Sequence, residues 1–423
     1  MTTLTDNPQA EDSMSAEPKP SSTGEQIHPL PTMLDGWLAT HEPDLVAVRR
    51  YLHQHPELSG CEHGTTDLMV QNLEAAGLKP RRIPGGNGIM CDIGDGDGGR
   101  IVALRADMDA LPIDDPKDVP YRSTVPGACH ACGHDVHTTI LLGVGQVLAE
   151  LDRAGQLPGR VRLVFQPSEE KFPSGAPVMM RAGALDDVSS IFAFHCDPRL
   201  PAGRIGVRSG PLTAASDMLE VRLTGRGGHT SRPHLTTDLV HALSRVVVDV
   251  PALLDRRIDP RTGVALVFGA IQAGSAANAI PQEGIVRGTL RMLDRDAWKT
   301  LPDLVTQIIE DVVRPTGAEA HIDYTRGVPP VINDRVATAV LAGAASAALG
   351  ESAVVETPVS MGGEDFSWYL EQVPGAMARL GVGRPGESLD LHQGDFDVDE
   401  KAIGHGVRVM VHTALAACAS AAF

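Results

Sequence analysis

Three short apolar runs in this chain each end in residues whose side chains could bind a metal or move a proton. After residues 101–104 come Asp107 and Asp109, after residues 161–165 come Glu169 and Glu170, and the run 191–194 is followed by His195. In an open α/β sheet, ligands gather beyond the carboxyl ends of the strands. One such strand end would be unremarkable, but three of them together predict a single polar site.

A fourth group of donors lies between the first two runs, in the segment 130–137. Cys132 and His134 are separated only by Gly133, which tolerates the tight turn needed for both to reach one metal. A helix is expected directly after them, and its N-terminus should lower the pKa of Cys132 and favour the thiolate. A redox pair of Cys129 and Cys132, or a surface histidine cluster, is an alternative, although neither explains the neighbouring carboxylates.

The apolar runs alternate with helical patterns, as in a sheet covered by helices. A long helical pattern spans residues 140–151. Two earlier helical patterns cover about 45–52, which ends before Pro56, and 65–76, which ends at Gly77. Wholly apolar strands that alternate with helices favour a mostly parallel sheet buried on both faces. We therefore predict an α/β catalytic domain.

The middle of the chain has a different pattern. Strands are predicted near 218–224, 264–272, 285–292 and 320–324, with helices near 239–250 and 297–313. This β-α-β-β-α-β order is that of a ferredoxin-like module. The predicted architecture is a catalytic metal-binding domain of residues 31–212 and 327–423, with an inserted ferredoxin-like α+β lid or dimerisation domain of residues 213–326. Residues 1–30 are rich in Pro, Ser and acidic residues and are predicted to form a disordered tail.

Composition and charge argue against several classes of function. The chain has 423 residues, 42% of them hydrophobic, and a formal net charge of −18. Nucleic acid and anionic membranes are not expected as partners, because both require a basic surface. No run approaches the ~18 apolar residues needed to span a membrane, and the acidic N-terminus is unlike a signal peptide. Six cysteines are too sparse for a disulfide scaffold, so a cytoplasmic location is predicted.

Three motifs together resemble a known family. They are RADMDALP (105–112), HACGHDVH (130–137) and QPSEE (166–170). In combination they are similar to the amidohydrolase branch of the metallo-aminoacylase/carboxypeptidase family, which includes hippurate hydrolases, indole-acetyl-amino-acid hydrolases and N-acetyl-diaminopimelate deacetylases. The resemblance extends from about Leu52 to the C-terminus. It implies a hydrolase with two divalent metal ions per subunit.

The resemblance also implies roles for individual residues. The metal ligands would be Cys132, His134, Glu170, His195 and His392. Glu169 would be the general base and Asp109 an orienting carboxylate. His137, one helical turn after His134, is either a residue that supports the ligands or an ordinary structural histidine. One thiolate, three imidazoles and one carboxylate suit Zn, Mn, Co or Ni better than Mg or Ca. Five protein ligands exceed one open four-coordinate site, so two ions about 3.5–4 Å apart are expected.

Substrate contacts are expected from the lid and from one loop. By the resemblance, His229 reaches towards the substrate carbonyl, in cis or from the partner subunit of a dimer, and Asn278 contacts the substrate. Arg291 is either a carboxylate-binding residue or an ordinary surface arginine on a strand face. Gly362 and Gly363 would line the pocket and let the backbone approach it.

The predicted function is hydrolysis of the amide bond of N-acyl amino acids, by a metal-dependent enzyme that forms a homodimer through its lid. A metallo-carboxypeptidase or dipeptidase on the same scaffold is one alternative, and a non-catalytic metal-binding protein is another. Glu169 favours an enzyme, because a structural metal site is closed and needs no unligated base.

Overall fold

An eight-stranded sheet and a four-stranded sheet organise the chain, which the computed structural model describes for residues 30–94 and 101–421. In chain order the helices are α1 (Leu30–Gln54), α2 (His63–Ala75), α3 (His134–Arg153), α4 (Ala176–Arg181), α5 (Leu239–Arg257), α6 (Arg295–Val313), α7 (Arg335–Leu349), α8 (Ser367–Leu370) and α9 (Lys401–Ala419). The strands are β1 (Arg81–Arg82), β2 (Ile89–Ile93), β3 (Ile101–Asp107), β4 (Arg160–Gln166), β5 (Val188–Pro201), β6 (Ile205–Val207), β7 (Gly210–Thr213), β8 (Ala215–Thr224), β9 (Gly228–His229), β10 (Ala265–Ala273), β11 (Ala279–Ile280), β12 (Glu283–Met292), β13 (Glu319–Val328), β14 (Val331–Asn333), β15 (Val354–Glu356) and β16 (Gly375–Gly383). The predicted tail, residues 1–30, lies outside the described residues except for Leu30, which begins α1.

The eight-stranded sheet has four parallel strands at its centre. Its order is β1-β2-β4-β3-β5-β16-β6-β15, and β4, β3, β5 and β16 run parallel to one another. Antiparallel pairs towards both edges make the sheet mixed. On β3, Val102 and Leu104 pack in the core under α1, α3 and α9, whereas Ile101 and Ala103 face a second core with α4 and α8. Burial on both faces explains why residues 101–104 of this strand form one continuous apolar run.

The four-stranded sheet belongs to the inserted segment. Its order is β10-β12-β8-β13, with antiparallel neighbours throughout, and α5 and α6 pack on one face. Leu219, Val221 and Leu223 of β8 are buried in that core, whereas Met218 on the other face is half exposed. The chain order β8-α5-β10-β12-α6-β13 confirms the predicted ferredoxin-like arrangement. The exact domain limits at residues 213 and 326 stay a prediction.

The first helix is longer than the sequence predicts. The apolar periodicity becomes clear only at Leu45, but α1 begins at Leu30 and continues through Pro43. Trp37 and Leu38, which lie on the N-terminal side of that proline, are buried. The apolar surface that they bury outweighs the cost of a proline inside a helix.

The last helix is both long and apolar. Lys401–Ala419 (α9) has the length and composition of a membrane span, with a mean hydropathy of 1.2, and 61% of this window is buried inside the protein. The expectation that no run approaches such a length was therefore wrong. Contacts of α9 with α1, α3 and α7 account for its apolar surface, because a helix covered on several sides needs no polar face there.

Candidate metal centre and active site

The five predicted ligands meet at the carboxyl ends of β3 and β4, and we call them the donor cluster. His195 lies within β5, because that strand continues to Pro201 instead of ending before His195 as predicted. Ligand atoms lie within 4.8 Å of one another in three overlapping groups, which are Cys132, His134 and His195; Cys132, Glu170 and His392; and His134, Glu169 and Glu170. The Sγ of Cys132 is 3.5 Å from Nε2 of His195. Nε2 of His392 is 3.2 Å from Oε1 of Glu170. The spacing of these atoms is short enough for them to share bound ions.

Gly133 lets Cys132 and His134 enter the cluster from the same turn. It precedes α3 with a φ of +84°, in the left-handed region that favours glycine. A Cβ atom at this position would lie 2.7 Å from Sγ of Cys196. Cys196 is fully buried and fills the space behind the turn, as a small apolar residue would.

Two other turns at the cluster are strained. Ser168 (φ 56°) and His392 (φ 60°) are two of the three non-glycine residues with positive φ among those described. The N–H of Ser168 donates to Oε1 of Glu62 at 2.8 Å, and the N–H of His392 donates to the carbonyl of Ala131 at 2.8 Å. These bonds hold conformations that cost of order 1–3 kcal/mol and that are typical of functional sites.

Asp109 lies behind the cluster, where an orienting carboxylate would act. Its Oδ1 is 3.3 Å from Nδ1 of His134, and its Oδ2 accepts from Ser59 Oγ at 2.6 Å and from the N–H of Glu170 at 2.9 Å. Burial opposes the ionised carboxylate, but the hydrogen bond with His134 lowers the pKa of Asp109. Asp109 therefore holds a ring and a backbone segment that both carry donors.

His137 and Asp107 lie behind the donor cluster and contact each other and the neighbouring strands. Nδ1 of His137 is 2.6 Å from Oδ1 of Asp107, and its Nε2 accepts the N–H of Cys196 at 2.8 Å. Both ring nitrogens are thus engaged. Asp107 also pairs with Arg105 at 2.6 Å.

Charge at the cluster differs in one respect from the prediction. Burial and then the carboxylate of Glu170 raise the pKa of the Cys132 thiol well above its usual range. The predicted lowering by the helix N-terminus was therefore wrong for the protein alone. A bound cation would reverse this preference, since a coordinating thiol is deprotonated. Burial and then Glu364 likewise raise the pKa of Glu169.

Two buried atoms show that the cluster fits metal ions. Nε2 of His134 and Oε1 of Glu170 are buried, and neither makes a hydrogen bond of good geometry among the described residues, although His392 lies 3.2 Å from that oxygen. Buried polar atoms are normally paired, and cations such as Zn, Mn or Co accept imidazole, carboxylate and thiolate donors together. The donor cluster on this α/β scaffold therefore defines a metal-dependent hydrolase.

A cavity of about 430 Å³ opens beside the donor cluster. Its wall includes Glu169 and three of the predicted substrate residues, namely Arg291, Gly362 and Gly363. A Cβ atom on Gly363 would lie 2.9 Å from Cβ of Ser216 and 3.6 Å from Nη1 of Arg291. The segment that contains Gly362 and Gly363 therefore runs close beside the lid.

The structure does not bring the other two predicted substrate residues to this cavity. His229 and Asn278 are neighbours on the lid, where His229 pairs with Ala279 and the N–H of Thr230 donates to the carbonyl of Asn278 at 3.3 Å. Ser216 at the start of β8 lines the cavity, whereas His229 follows the far end of that strand. At ~3.3 Å per residue, β8 carries the chain roughly 26 Å away from Ser216. His229 and Asn278 are thus remote from the donor cluster of their own chain.

The cavity also contains charged residues that the motifs did not indicate. Glu364 and Arg379 both line it. Arg379 is only 7% exposed, and it lies opposite His195 in the register of the neighbouring strands β16 and β5. A single arginine inside the apolar segment Gly375–Gly383 is a sequence signal that could have pointed to it.

Comparisons with known proteins agree with this site. Residues 103–416 match peptidase family M20/M25/M40. A Rhodococcus jostii protein that carries the name of a glutamate–cysteine ligase is 49% identical over 371 residues, which are 88% of this chain and 46% of that protein. This chain therefore spans about half the length of that relative. N-acetyl-L-cysteine deacetylase of Bacillus subtilis is 35% identical over 366 residues, 86% of each protein.

A solved structure shows the same architecture. The YXEP protein of Bacillus subtilis, described as a dinuclear metal binding peptidase of the M20 family, is 32% identical with a TM-score of 0.79, covering 90% of this chain and 99% of that one. This chain belongs to the peptidase M20/M25/M40 family. It is a metal-dependent amidohydrolase.

Proposed function

We propose that this enzyme hydrolyses the amide bond of N-acyl amino acids, releasing a carboxylic acid and a free amino acid. The observation that carries the proposal is the donor cluster at the floor of a cavity of about 430 Å³, with Glu169 beside it. A cavity of this size suits a small ligand. The activity named for the Bacillus subtilis deacetylase, on an N-acetylated amino acid, supports the same bond as the target.

Glu169 is the proposed general base. Two divalent cations in the donor cluster would polarise the substrate carbonyl and lower the pKa of a water molecule towards ~7. The N–H of Asp365 donates to Oε1 of Glu169 at 3.3 Å and orients the carboxylate. Oε2 of Glu169 then takes the proton of the attacking water and passes it to the leaving nitrogen. Arg291, which lines the cavity, is the proposed partner of the α-carboxylate of the substrate.

The test is release of free amino acid from N-acetyl, N-benzoyl and long-chain N-acyl amino acids and from dipeptides, with Zn, Mn or Co. Glu169→Gln should lower kcat by ~100- to 10,000-fold, the usual contribution of a general base, and leave metal content unchanged. Glu283→Gln on the exposed surface of the lid is the matched control. Hydrolysis of dipeptides alone would favour the peptidase alternative, and bound metal without any turnover would favour a binding protein.

A homodimer through the lid is the second part of the proposal, with His229 serving the active site of the partner subunit. Its support is the exposed position of His229, at the end of the lid remote from the cavity of its own chain. An imidazole that donates to the developing oxyanion contributes ~100- to 1,000-fold to kcat. His229→Ala should therefore lower kcat by that factor while metal stays bound.

Mixing two inactive variants distinguishes the subunit that supplies His229. In a mixed dimer of Glu169→Gln and His229→Ala, one site would combine an intact Glu169 with His229 from its partner. Random re-association of such a symmetric dimer should restore about a quarter of wild-type activity. No recovery after exchange of subunits would contradict action from the partner.

A further inference from the structure

Arg379 places a positive charge in the active-site cavity without an ion pair. Its side chain is 7% exposed and lines the cavity beside Cys132 and His195. Among the described residues, no carboxylate lies within 4 Å of its guanidinium and no hydrogen bond reaches it. The two carboxylates that act most strongly on it electrostatically, Glu364 and Asp197, are paired with other arginines, Arg105 at 3.2 Å and Arg199 at 2.9 Å.

The other deeply buried arginines are bound on several sides. Arg49 pairs with Asp135 at 2.8 Å and Asp397 at 3.0 Å. Arg105 pairs with Asp107 at 2.6 Å and Asp365 at 2.8 Å, besides Glu364. A buried charge without a partner is costly, yet a guanidinium cannot shed its proton in a protein. Arg379 is therefore a built site for an anion that enters the cavity.

We infer that Arg379 binds a second carboxylate of the substrate, in addition to the α-carboxylate assigned to Arg291. This inference rests on the proposed function. The two guanidinium groups reach the cavity from different elements, Arg291 from β12 of the lid and Arg379 from β16 of the catalytic domain. Each can bind a carboxylate bidentately. The favoured substrates are thus dicarboxylic, with the second charge either on the acyl group or on the amino-acid side chain.

Two pairs of isosteric substrates test the inference and separate these two positions. N-succinyl-L-alanine is compared with N-succinamoyl-L-alanine, and N-acetyl-L-glutamate with N-acetyl-L-glutamine. In the wild type, kcat/KM should be ~10- to 100-fold higher for the charged member of one pair, as for loss of a charge-assisted hydrogen bond. In Arg379→Met the ratio should fall to about one, and in Arg379→Lys part of it should remain, because the charge is kept but the planar fork is lost.

The ratio within a pair cancels any general loss of activity in a variant. Arg199→Met is the matched control, because it removes a nearby positive charge whose side chain is 66% exposed and lies outside the cavity. Equal rates within both pairs for the wild type, or a ratio that survives in Arg379→Met, would overturn the inference. Loss of metal from Arg379→Met would also overturn it, since Arg379 would then act on the Cys132 thiolate.

Failure of the proposed function has a different signature. If none of the four compounds is hydrolysed with any metal, the proposed amide hydrolysis is wrong for these substrates. Calorimetric binding of the same four compounds to the metal-loaded protein then decides the role of Arg379. The role is supported if the wild type binds a charged compound ~10-fold more tightly than its neutral partner and Arg379→Met does not. Equal binding of the two compounds by the wild type contradicts it.

Discussion

Replacing Asp109 with Asn should weaken metal binding although every atom of the donor cluster stays in place. Asp109 contacts Nδ1 of His134 at 3.3 Å, and it accepts from Ser59 Oγ at 2.6 Å and from the N–H of Glu170 at 2.9 Å. An Asn side chain has nearly the same shape, but it has no charge and only one acceptor oxygen. Its amide group must therefore face at least one of these donors.

The size of the effect follows from those contacts. A hydrogen bond to a charged group contributes ~1.5–3 kcal/mol, which corresponds to roughly a 10- to 150-fold change in an equilibrium constant. Changes to the partners of metal ligands typically weaken metal binding ~10- to 100-fold. We expect the metal dissociation constant of Asp109→Asn to rise by that factor, with kcat largely restored at saturating metal.

The assay is competition for Zn or Mn against a chromophoric chelator, followed by activity at saturating metal. Asp259→Asn makes the same chemical change at an exposed carboxylate of the lid and serves as the control. A dissociation constant equal to that of the wild type would refute the orienting role. A fall in kcat with unchanged metal affinity would refute it as well, and would assign Asp109 to the reaction itself.

Two further predictions concern the buried charges behind the cluster. Arg49→Met should lower the free energy of unfolding by ~3–5 kcal/mol in urea titrations, because it leaves buried carboxylates unpaired. The same change at the exposed Arg50 should lower it by under ~1 kcal/mol. Equal losses in the two variants would contradict this prediction. For His53, burial opposes the charged ring, but hydrogen bonds with Asp115 and Asp135 raise its pKa to about 10. Its stabilising contribution is therefore full below its ordinary pKa of 6.5 and lost as the pH rises towards 10. The stability difference between wild type and His53→Gln should shrink over that range, and a constant difference would disprove the charged state.

The sequence was sufficient for the features that depend on local pattern. The run 101–104 is apolar throughout because β3 is covered on both faces, and this produces the signal of a buried parallel strand. In the lid, alternation along β8 separates Leu219 and Val221 from the half-exposed Met218. Cys132, His134, Glu170 and His195 could be located because they follow apolar runs or flank Gly133, whose position in the turn requires glycine, whereas His392 was indicated only by the family resemblance.

Features that depend on contacts between distant segments could not be predicted. The first helical pattern becomes clear only at Leu45, but α1 begins at Leu30, and Trp37 and Leu38 in its first half are buried. The rise in the pKa of Cys132 comes from its burial and from Glu170, and neither is visible in the residues beside it. The sequence likewise did not show which end of β8 lies at the cavity, because the direction of a strand relative to a distant site is a property of the assembled fold. His229 follows the end that lies away from it.

The network around Arg49 explains how donors from separate segments keep one geometry. Asp135 follows His134 at the start of α3, and Asp397 lies in the segment that follows His392, yet both carboxylates bind the same guanidinium of α1. Residues 348 positions apart are thus tied at one point directly behind the cluster. Since metals bind only the folded arrangement of these donors, metal affinity and the stability of this network are thermodynamically linked. The ion pairs behind the site therefore belong to its function although none of them reaches the cavity.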